Sequence, residues 1–375
     1  MLGHVLRLST FAIAVVCCAF QVSHGAEVSE RFRRFDTNGD GKLTRDEFPS
    51  LMQPLFNSLD ANSDNVVTTA EDAKFLMRLP VKALQPIQPP QTVRIELDLP
   101  YAATENVRQR LDLYLPKARK HNKPLPVVAH LHGGGWQFGN KSGGYRYVGP
   151  LVESGEYAGV SIGYRLTNEA CWPAQIHDCK AAIRWLRANA AKYNLDPDRI
   201  GVTGTSAGGH LSAMLGTSGN DTNLEGTLGE HTKQSSRVTC VVDHFGPSDF
   251  RAFLMVLDPT LAVTKLLGGP PRDKLDLALA ASPVTHVTSD DAPFLLIHGT
   301  RDPIVPFGQS EVLYAALIKA KVDAKLVAVE GGGHGNFGSA EVAARMRAFF
   351  DKHLRGQSVT ISDEPIQLDQ RQAGK

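Results

Sequence analysis

The sequence predicts an α/β fold, a mostly parallel central sheet with helices on both faces, preceded by a small α-helical module. Three observations carry this reading. From about residue 92, short apolar runs alternate with amphipathic segments, the pattern of successive βαβ units. Most of those runs are continuously apolar, as strands buried on both faces must be. Residues 27–78 instead repeat with a period of 24, FRRFDTNGDGKLTRDEF at 32–48 aligning with FNSLDANSDNVVTTAED at 56–72. A chain of 375 residues is long enough for one large domain and a small companion.

The elements follow in order. In residues 1–25, Arg7 precedes an apolar run from Leu8 to Phe20 and then the small residues Ser23 and Gly25, the pattern of a cleaved signal peptide. Export to the periplasm or the extracellular space is therefore expected, with no stable membrane span after cleavage. The repeat module occupies 27–78. LPVKALQPIQPPQ at 79–91 carries four prolines without apolar periodicity and reads as a linker. The large domain is assigned to 92–356. Its opening pair, VRIELDL and RLDLYL, alternates with period two and suits a hairpin joining the sheet antiparallel at one edge. PVVAHLH, AGVSIGY, RIGVTG, VTCVVDHFG, PFLLIHG and AKLVAVE are the interior strands. Residues 216–236 and 251–282 break the alternation and read as loops or cap elements. Residues 357–375 are polar and aperiodic, a tail expected to fray.

A formal net charge of +1 gives no electrostatic reason to expect nucleic acid or acidic lipid, and favours a small or neutral partner; nothing in the sequence fixes an oligomeric state. Without the leader, Cys171, Cys179 and Cys240 remain, an odd number at wide spacing that allows at most one bridge and argues against a zinc site. Cys179 shares helical spacing with Ile176, Ile183 and Leu186 and reads as a packed thiol.

In an open parallel sheet the ligand site lies beyond the carboxyl ends of the strands. There RIGVTG runs into Gly204-Thr205-Ser206-Ala207-Gly208 and then a small-residue helix, a strand, tight turn, helix arrangement that presents Ser206 as a nucleophile. His132-Gly133-Gly134-Gly135-Trp136 follows PVVAHLH, and consecutive glycines free main-chain amides to point at a bound oxygen. With Ala207, Gly133 and Gly134 would form an oxyanion hole. Further on, Asp302 and His334 each follow a strand and fit an acid and a base in the order Ser, Asp, His; Asp249 is the rival acid. His210, inside the elbow helix, reads as a packing or hydrogen-bonding residue, and Trp136 and Tyr164 as pocket or packing aromatics. No step here asks for a catalytic cofactor.

Taken together, HGGGW, YRLTNEACWPAQIHDCKAAIRWLRANA, DPDRIGVTGTSAGGHL, HGTRDPIVPFGQS and GGGHGNF resemble the bacterial esterases related to hormone-sensitive lipase and to feruloyl and acetyl-xylan esterases, the BD-FAE-like family. The resemblance spans roughly 92–355. It implies an α/β-hydrolase fold and hydrolysis of small or carbohydrate-linked carboxylic esters through Ser206, Asp302 and His334. Where the family often has a Pro-Glu pair and a Phe-Pro step, 167–173 reads TNEACWP, so the pocket differs more than the reaction. A prolyl-oligopeptidase-like peptidase shares the triad order, but 27–91 is too short for its usual propeller. A calcium-dependent adhesion or scaffold module with an inactive hydrolase domain is the third reading.

The repeat module carries two EF-hand loops. Asp36, Asn38, Asp40, Lys42 through its carbonyl, and Glu47 occupy ligand positions of the first, with Thr44 at the water position. Asp60, Asn62, Asp64, the Val66 carbonyl and Glu71 do so in the second, with Thr68 at the water position. There Asn65 replaces the turn glycine, which predicts weaker binding because asparagine tolerates the left-handed conformation less well than glycine. Calcium is the expected ion, in a structural or docking role.

Overall fold

The computed structural model describes Phe32, Asp36, 38–47, Phe56, 59–72, 89–254, 261–335, Phe337 and 339–367. The leader at 1–25, most of the 79–91 linker and residues 368–375 lie outside the described residues. The chain divides into two compact units, Met1–Ala83 and Leu84–Lys375, the division falling within 79–91.

In the first unit the 24-residue period becomes a paired structure. Strands β1 (Lys42–Thr44) and β2 (Val66–Thr68) run antiparallel with Leu43 opposite Val67. Those two residues are repeat mates, as are Phe32 and Phe56, and all four are buried together with Leu59. One repeat thus presents the apolar surface that the other covers.

The second unit is built on nine strands: β3 (Val93–Pro100), β4 (Arg110–Pro116), β5 (Leu125–Leu131), β6 (Ala158–Ile162), β7 (Leu195–Thr205), β8 (Cys240–His244), β9 (Phe294–Gly299), β10 (Ala324–Glu330) and β11 (Ile366–Gln367). Their order is β11-β10-β9-β8-β7-β5-β6-β4-β3. β3 pairs antiparallel with β4, and β4 with β6, so the alternating hairpin forms the edge, and the remaining pairings are parallel. Helices α1 (Tyr145–Glu153), α2 (Ala174–Ala188), α3 (Ala207–Thr217), α4 (Gly308–Lys319) and α5 (Ala340–Arg355) cover the sheet. Successive strand residues point to opposite faces. Val127, Ala129 and Leu131 therefore join the core under α2, α3 and α4, while Val128 joins the one under α1 and α5. Strand order reverses at β5, which has β6 on one side and β7 on the other, and such a switch point opens a crevice at the carboxyl ends.

The residues from Gln357 depart from the expected frayed tail as far as they are described. Ile361 and Ile366 are buried, Ile366 pairs with Val329, and the Arg345 guanidinium donates to the carbonyl of Ser362. A two-residue strand is too short to leave a periodicity in the sequence, which is why it was not legible there. The 216–236 segment contains one short helix, Thr222–Glu225, tied to α2 by Lys180, 2.7 Å from the Ser218 carbonyl, and by Arg184, which pairs with Glu225. Around 251–282 the short helices Phe250–Phe253, Ala262–Leu267 and Leu275–Ala280 border the crevice, with 255–260 outside the described residues.

Candidate active site

β7 ends at Thr205 and α3 begins at Ala207, leaving Ser206 alone at the bend with φ 55° and ψ −118°, a conformation that L-residues adopt only under strain. The residues two before and two after it are glycine for a steric reason. A Cβ on Gly204 would lie 2.2 Å from the Gly208 carbonyl oxygen, and one on Gly208 would lie 2.1 Å from that of Leu131. The bend is anchored by the Ser206 amide, which donates to the His244 carbonyl at 2.9 Å.

Three residues far apart in sequence meet at this bend. His334 Nε2 lies 2.9 Å from Ser206 Oγ, and His334 Nδ1 lies 2.7 Å from Asp302 Oδ2. Both imidazole nitrogens are thus engaged, and the Nδ1 contact with a carboxylate places the proton on Nδ1 and leaves Nε2 to accept from the serine. Asp302 has no side-chain exposure. Burial pushes its carboxyl up, but hydrogen bonds from His298 and His334 and from the Ile304 amide outweigh it and hold the group well below the usual carboxylate range. Asp302 therefore stays ionised beside the ring. The rival Asp249 is engaged elsewhere: it caps the Phe250–Phe253 turn and pairs with Arg251 at 2.7 Å. Phe245 packs edge-on against His334 with ring centres 4.8 Å apart, an apolar wall on one side of the imidazole.

The glycine loop after β5 lies against the bend. A Cβ on Gly133 would meet the Thr205 carbonyl oxygen at 2.8 Å and Ser206 Cβ at 3.5 Å, so this backbone approaches the serine as only glycine can. Gly134, Gly135 and Trp136 all have positive φ, 117°, 58° and 57°. The amides of Gly133, Gly134 and Ala207 bond to no acceptor among the described residues, as donors for an incoming oxygen should. Trp136 and Tyr164 are buried and act as struts. The Tyr164 hydroxyl donates to the His132 carbonyl at 2.7 Å, and Trp136 Nε1 donates to His210 Nδ1 at 3.2 Å. His210 Nε2 in turn donates to the Ala281 carbonyl at 2.7 Å, and burial pushes this ring down to about 4, so it stays in that one tautomer at neutral pH. A cavity of about 300 Å³ is lined by residues including Arg108, His132, Lys141 and Tyr164, and neither Ser206 nor His334 borders it.

One neighbour of the site passed unremarked in the sequence. His298, near the end of β9, lies 3.2 Å from the same Asp302 oxygen that faces His334. Its only signal was its position, four residues before Asp302 in IHGTRD. Cys171 is exposed and Cys179 and Cys240 are buried, all three as free thiols.

The loops of the first unit have the internal bonding of EF-hands. Asp36 accepts from the amides of Asp40 and Gly41 at 3.0 and 2.9 Å, and Asp60 accepts from those of Asp64 and Asn65 at 3.1 and 2.9 Å. Glu47 and Glu71, the last ligand positions, accept from the amides of Thr44 and Thr68. Gly41 has φ 75° and Asn65 φ 66°, so the asparagine occupies the left-handed turn in place of glycine. Among the described residues no three acidic, histidine or cysteine side chains converge as a preformed metal cluster. The donor set nevertheless fits calcium in kind, because carboxylate, amide and main-chain carbonyl oxygens recur at the spacing a hard cation needs. No described helix is long and apolar enough to cross a membrane.

Comparison with known proteins agrees with this architecture. An EF hand domain model matches residues 27–55. The chain is 35% identical over 189 residues to the probable carboxylic ester hydrolase LipM of Mycobacterium tuberculosis, covering 49% of this chain and 43% of that protein. It is 34% identical over 236 residues to the esterase LipC of the same organism, covering 60% and 57%. The chain thus spans about half the length of these curated relatives. Among solved structures, a truncated carbohydrate esterase from gut microbiota superposes with a TM-score of 0.65 at 36% identity, covering 70% of this chain and 96% of that one. Esterase B of Lactobacillus rhamnosis superposes at 0.62 with 26% identity, covering 77% and 96%. The family model described as BD-FAE matches residues 111–317, from the second strand of the sheet through α4 and more than half of the sequence, and the chain belongs to the BD-FAE family.

Proposed function

We propose that this chain is an exported serine carboxylesterase that hydrolyses small or carbohydrate-linked carboxylic esters through an acyl-enzyme on Ser206, with an N-terminal module that binds calcium. The observation that carries the reading is the continuous path from Ser206 Oγ through His334 to Asp302, at 2.9 and 2.7 Å, beside unbonded main-chain amides. Ser206 attacks the ester carbonyl while His334 Nε2 takes its proton. The amides of Gly133, Gly134 and Ala207 then hold the oxyanion, and the protonated ring, stabilised by Asp302, returns the proton to the leaving alkoxide. Water, activated by the same nitrogen, attacks the acyl-enzyme, releasing the carboxylic acid and regenerating the serine.

The relatives and solved structures named as esterases support the reaction class. A sugar ester as substrate is favoured by the structure described as a carbohydrate esterase. Calcium would sit between the oxygens of Asp36, Asn38, Asp40, the Lys42 carbonyl and Glu47, and of Asp60, Asn62, Asp64, the Val66 carbonyl and Glu71, supplying charge that holds each loop closed. Export rests on the leader pattern at 1–25.

Hydrolysis of p-nitrophenyl acetate by the wild-type chain and by Ser206→Ala tests the reading. The variant should lose about 10⁴-fold or more in kcat with the fold intact, and retained turnover removes Ser206 from the mechanism. A panel of acetylated xylan, feruloyl and butyryl esters then reads the substrate class. Amino-terminal sequencing of the protein recovered outside the cytoplasm tests cleavage after Gly25.

A further inference from the structure

We infer that His298 is a positioning residue for Asp302, one that fixes the rotation of the carboxylate and tempers its pull on His334. The inference rests on the proposed roles of Asp302 and His334. His298 is fully buried. Its Nε2 lies 2.9 Å from the Val305 carbonyl oxygen and 3.2 Å from Asp302 Oδ2. Both neighbours are acceptors, so Nε2 carries a proton. Its Nδ1 lies 2.7 Å from the hydroxyl of Ser310 on α4, which can donate or accept and so accommodates either state of that nitrogen.

The donors around Asp302 define what this N–H contributes. Oδ1 accepts the amides of Ile304 and Val305 at 2.8 and 2.9 Å. Oδ2 accepts from His334, and the His298 Nε2–H, whose hydrogen bond goes to the Val305 carbonyl, lies 3.2 Å from the same oxygen. With no side-chain exposure, water has no access to replace a missing donor. The two amides fix one oxygen, and the polar edge of His298, held in place by Val305, faces the other on the side that meets His334. Because the N–H dipole also draws charge from Oδ2, the same contact weakens the attraction between the carboxylate and a protonated His334. The titratable groups facing His298 are Asp302, His334 beyond it, and the buried Asp243 of β8, whose carboxylate accepts from the Gly246 amide. Phe245 and Phe307 flank the ring with no charge.

A ring held only for packing between those two phenylalanines would tolerate an apolar residue of similar size. The test compares the full chain with His298→Leu, His298→Gln and Ser310→Ala, measuring kcat and KM for p-nitrophenyl acetate from pH 4.5 to 9. Glutamine keeps an amide N–H that can reach Oδ2; leucine does not. For His298→Leu, kcat should fall about ten- to a hundredfold with KM within about twofold, and the acid limb of kcat/KM should move up by about one pH unit. His298→Gln should recover most of both, and Ser310→Ala should shift the limb in the same direction by less. A folded leucine variant whose acid limb stays in place, or glutamine and leucine variants equally impaired, overturns the inference. Should the leucine variant fail to fold, nitrogen-edited NMR of the folded protein decides. A slowly exchanging His298 Nε2 proton that persists in Ser206→Ala and shifts in Asp302→Asn supports the contact, and its absence overturns it. That spectrum needs no turnover, so a wild-type chain inert towards esters would sink the esterase reading and leave the His298 result standing apart.

Discussion

In the paired loops of the first unit, Asp36 and Asp60 each accept two main-chain amides a few residues ahead, and Asp302 at the end of β9 does the same with Ile304 and Val305. The anchoring is alike; the company differs. Around Asp36 and Asp60 the further polar groups, Asn38, Asp40, Asn62 and Asp64, are exposed and offer oxygen, so the cluster suits a hard cation. Around Asp302 the further groups are two imidazoles in a buried setting, so the same carboxylate suits proton traffic. A turn can fix an aspartate; its neighbours decide what the aspartate does.

The sharpest break in that comparison comes from neutralising one aspartate without changing its shape. Asp302→Asn should lower kcat by about 10⁴-fold, because the amide favours the wrong tautomer of His334. Asp249→Asn should leave kcat within a few fold and cost less than about 1 kcal/mol of stability, since the amide oxygen still caps the turn and only the exposed ion pair with Arg251 is lost. Steady-state kinetics beside thermal melts read both, and the opposite ranking would reassign the acid. Next in size is Gly133→Ala, whose Cβ would crowd the Thr205 carbonyl and tilt the loop from Ser206; a loss of about 10²–10³ in kcat is expected. An unchanged kcat would take that amide out of the oxyanion hole.

The same difference decides how legible each site is in the sequence. Each calcium loop is written within twelve consecutive residues, so spacing alone nominates its ligands. The proposed catalytic groups come from four loops spread over residues 133 to 334, and only the rule that chemistry gathers at strand ends placed them in one neighbourhood. Strand positions emerged because buried parallel strands are apolar runs, and the antiparallel edge because its hairpin alternates. The sequence ranks Asp302 ahead of Asp249 but leaves the rival open, since both follow a strand and both begin a turn; their separation in space depends on where β9 and β10 carry the chain. His298 was invisible for the same reason: a histidine within an apolar strand is read as core until a carboxylate is seen beside it. β11 was lost to brevity.

A smaller effect separates the two units by pH. Burial pushes His132, His210 and His244 down to about 4 and His130 well below its ordinary value, all in the sheet domain. These folded rings refuse protons that the unfolded chain accepts below about 6.5, so the unfolded state binds more protons and stability falls as pH drops from about 6.5 towards 4. Each ring contributes about 1 kcal/mol per pH unit within that window, and the carboxyls of Asp243 and Asp291, pushed up to about 6 by burial, offset part of it with the opposite sign, leaving four rings against two carboxyls. The paired loops hold no histidine among the described residues, so calorimetry should show the sheet domain's transition moving down with acid between pH 7 and 4.5. A transition independent of pH there would mean that the rings titrate in the fold.

The smallest effect lies between the two calcium loops themselves. Asn65 pays for its left-handed backbone, φ 66°, where Gly41 in the first loop does not. Replacing it with glycine should relieve up to about 1 kcal/mol, roughly fivefold in Kd. Two terms reduce the gain: glycine loses more backbone freedom when the loop orders, and the hydrogen bond that Arg45 donates to Asn65 at 3.0 Å disappears. That bond joins the first loop to the second, so its loss should also lower the cooperativity between them. Calcium titration of the full chain carrying Glu47→Gln, which weakens the first loop, isolates the second; adding Asn65→Gly should tighten it by about two- to fivefold. A weaker second site would mean that the link from Arg45 outweighs the backbone strain, and that the asparagine serves to couple the loops.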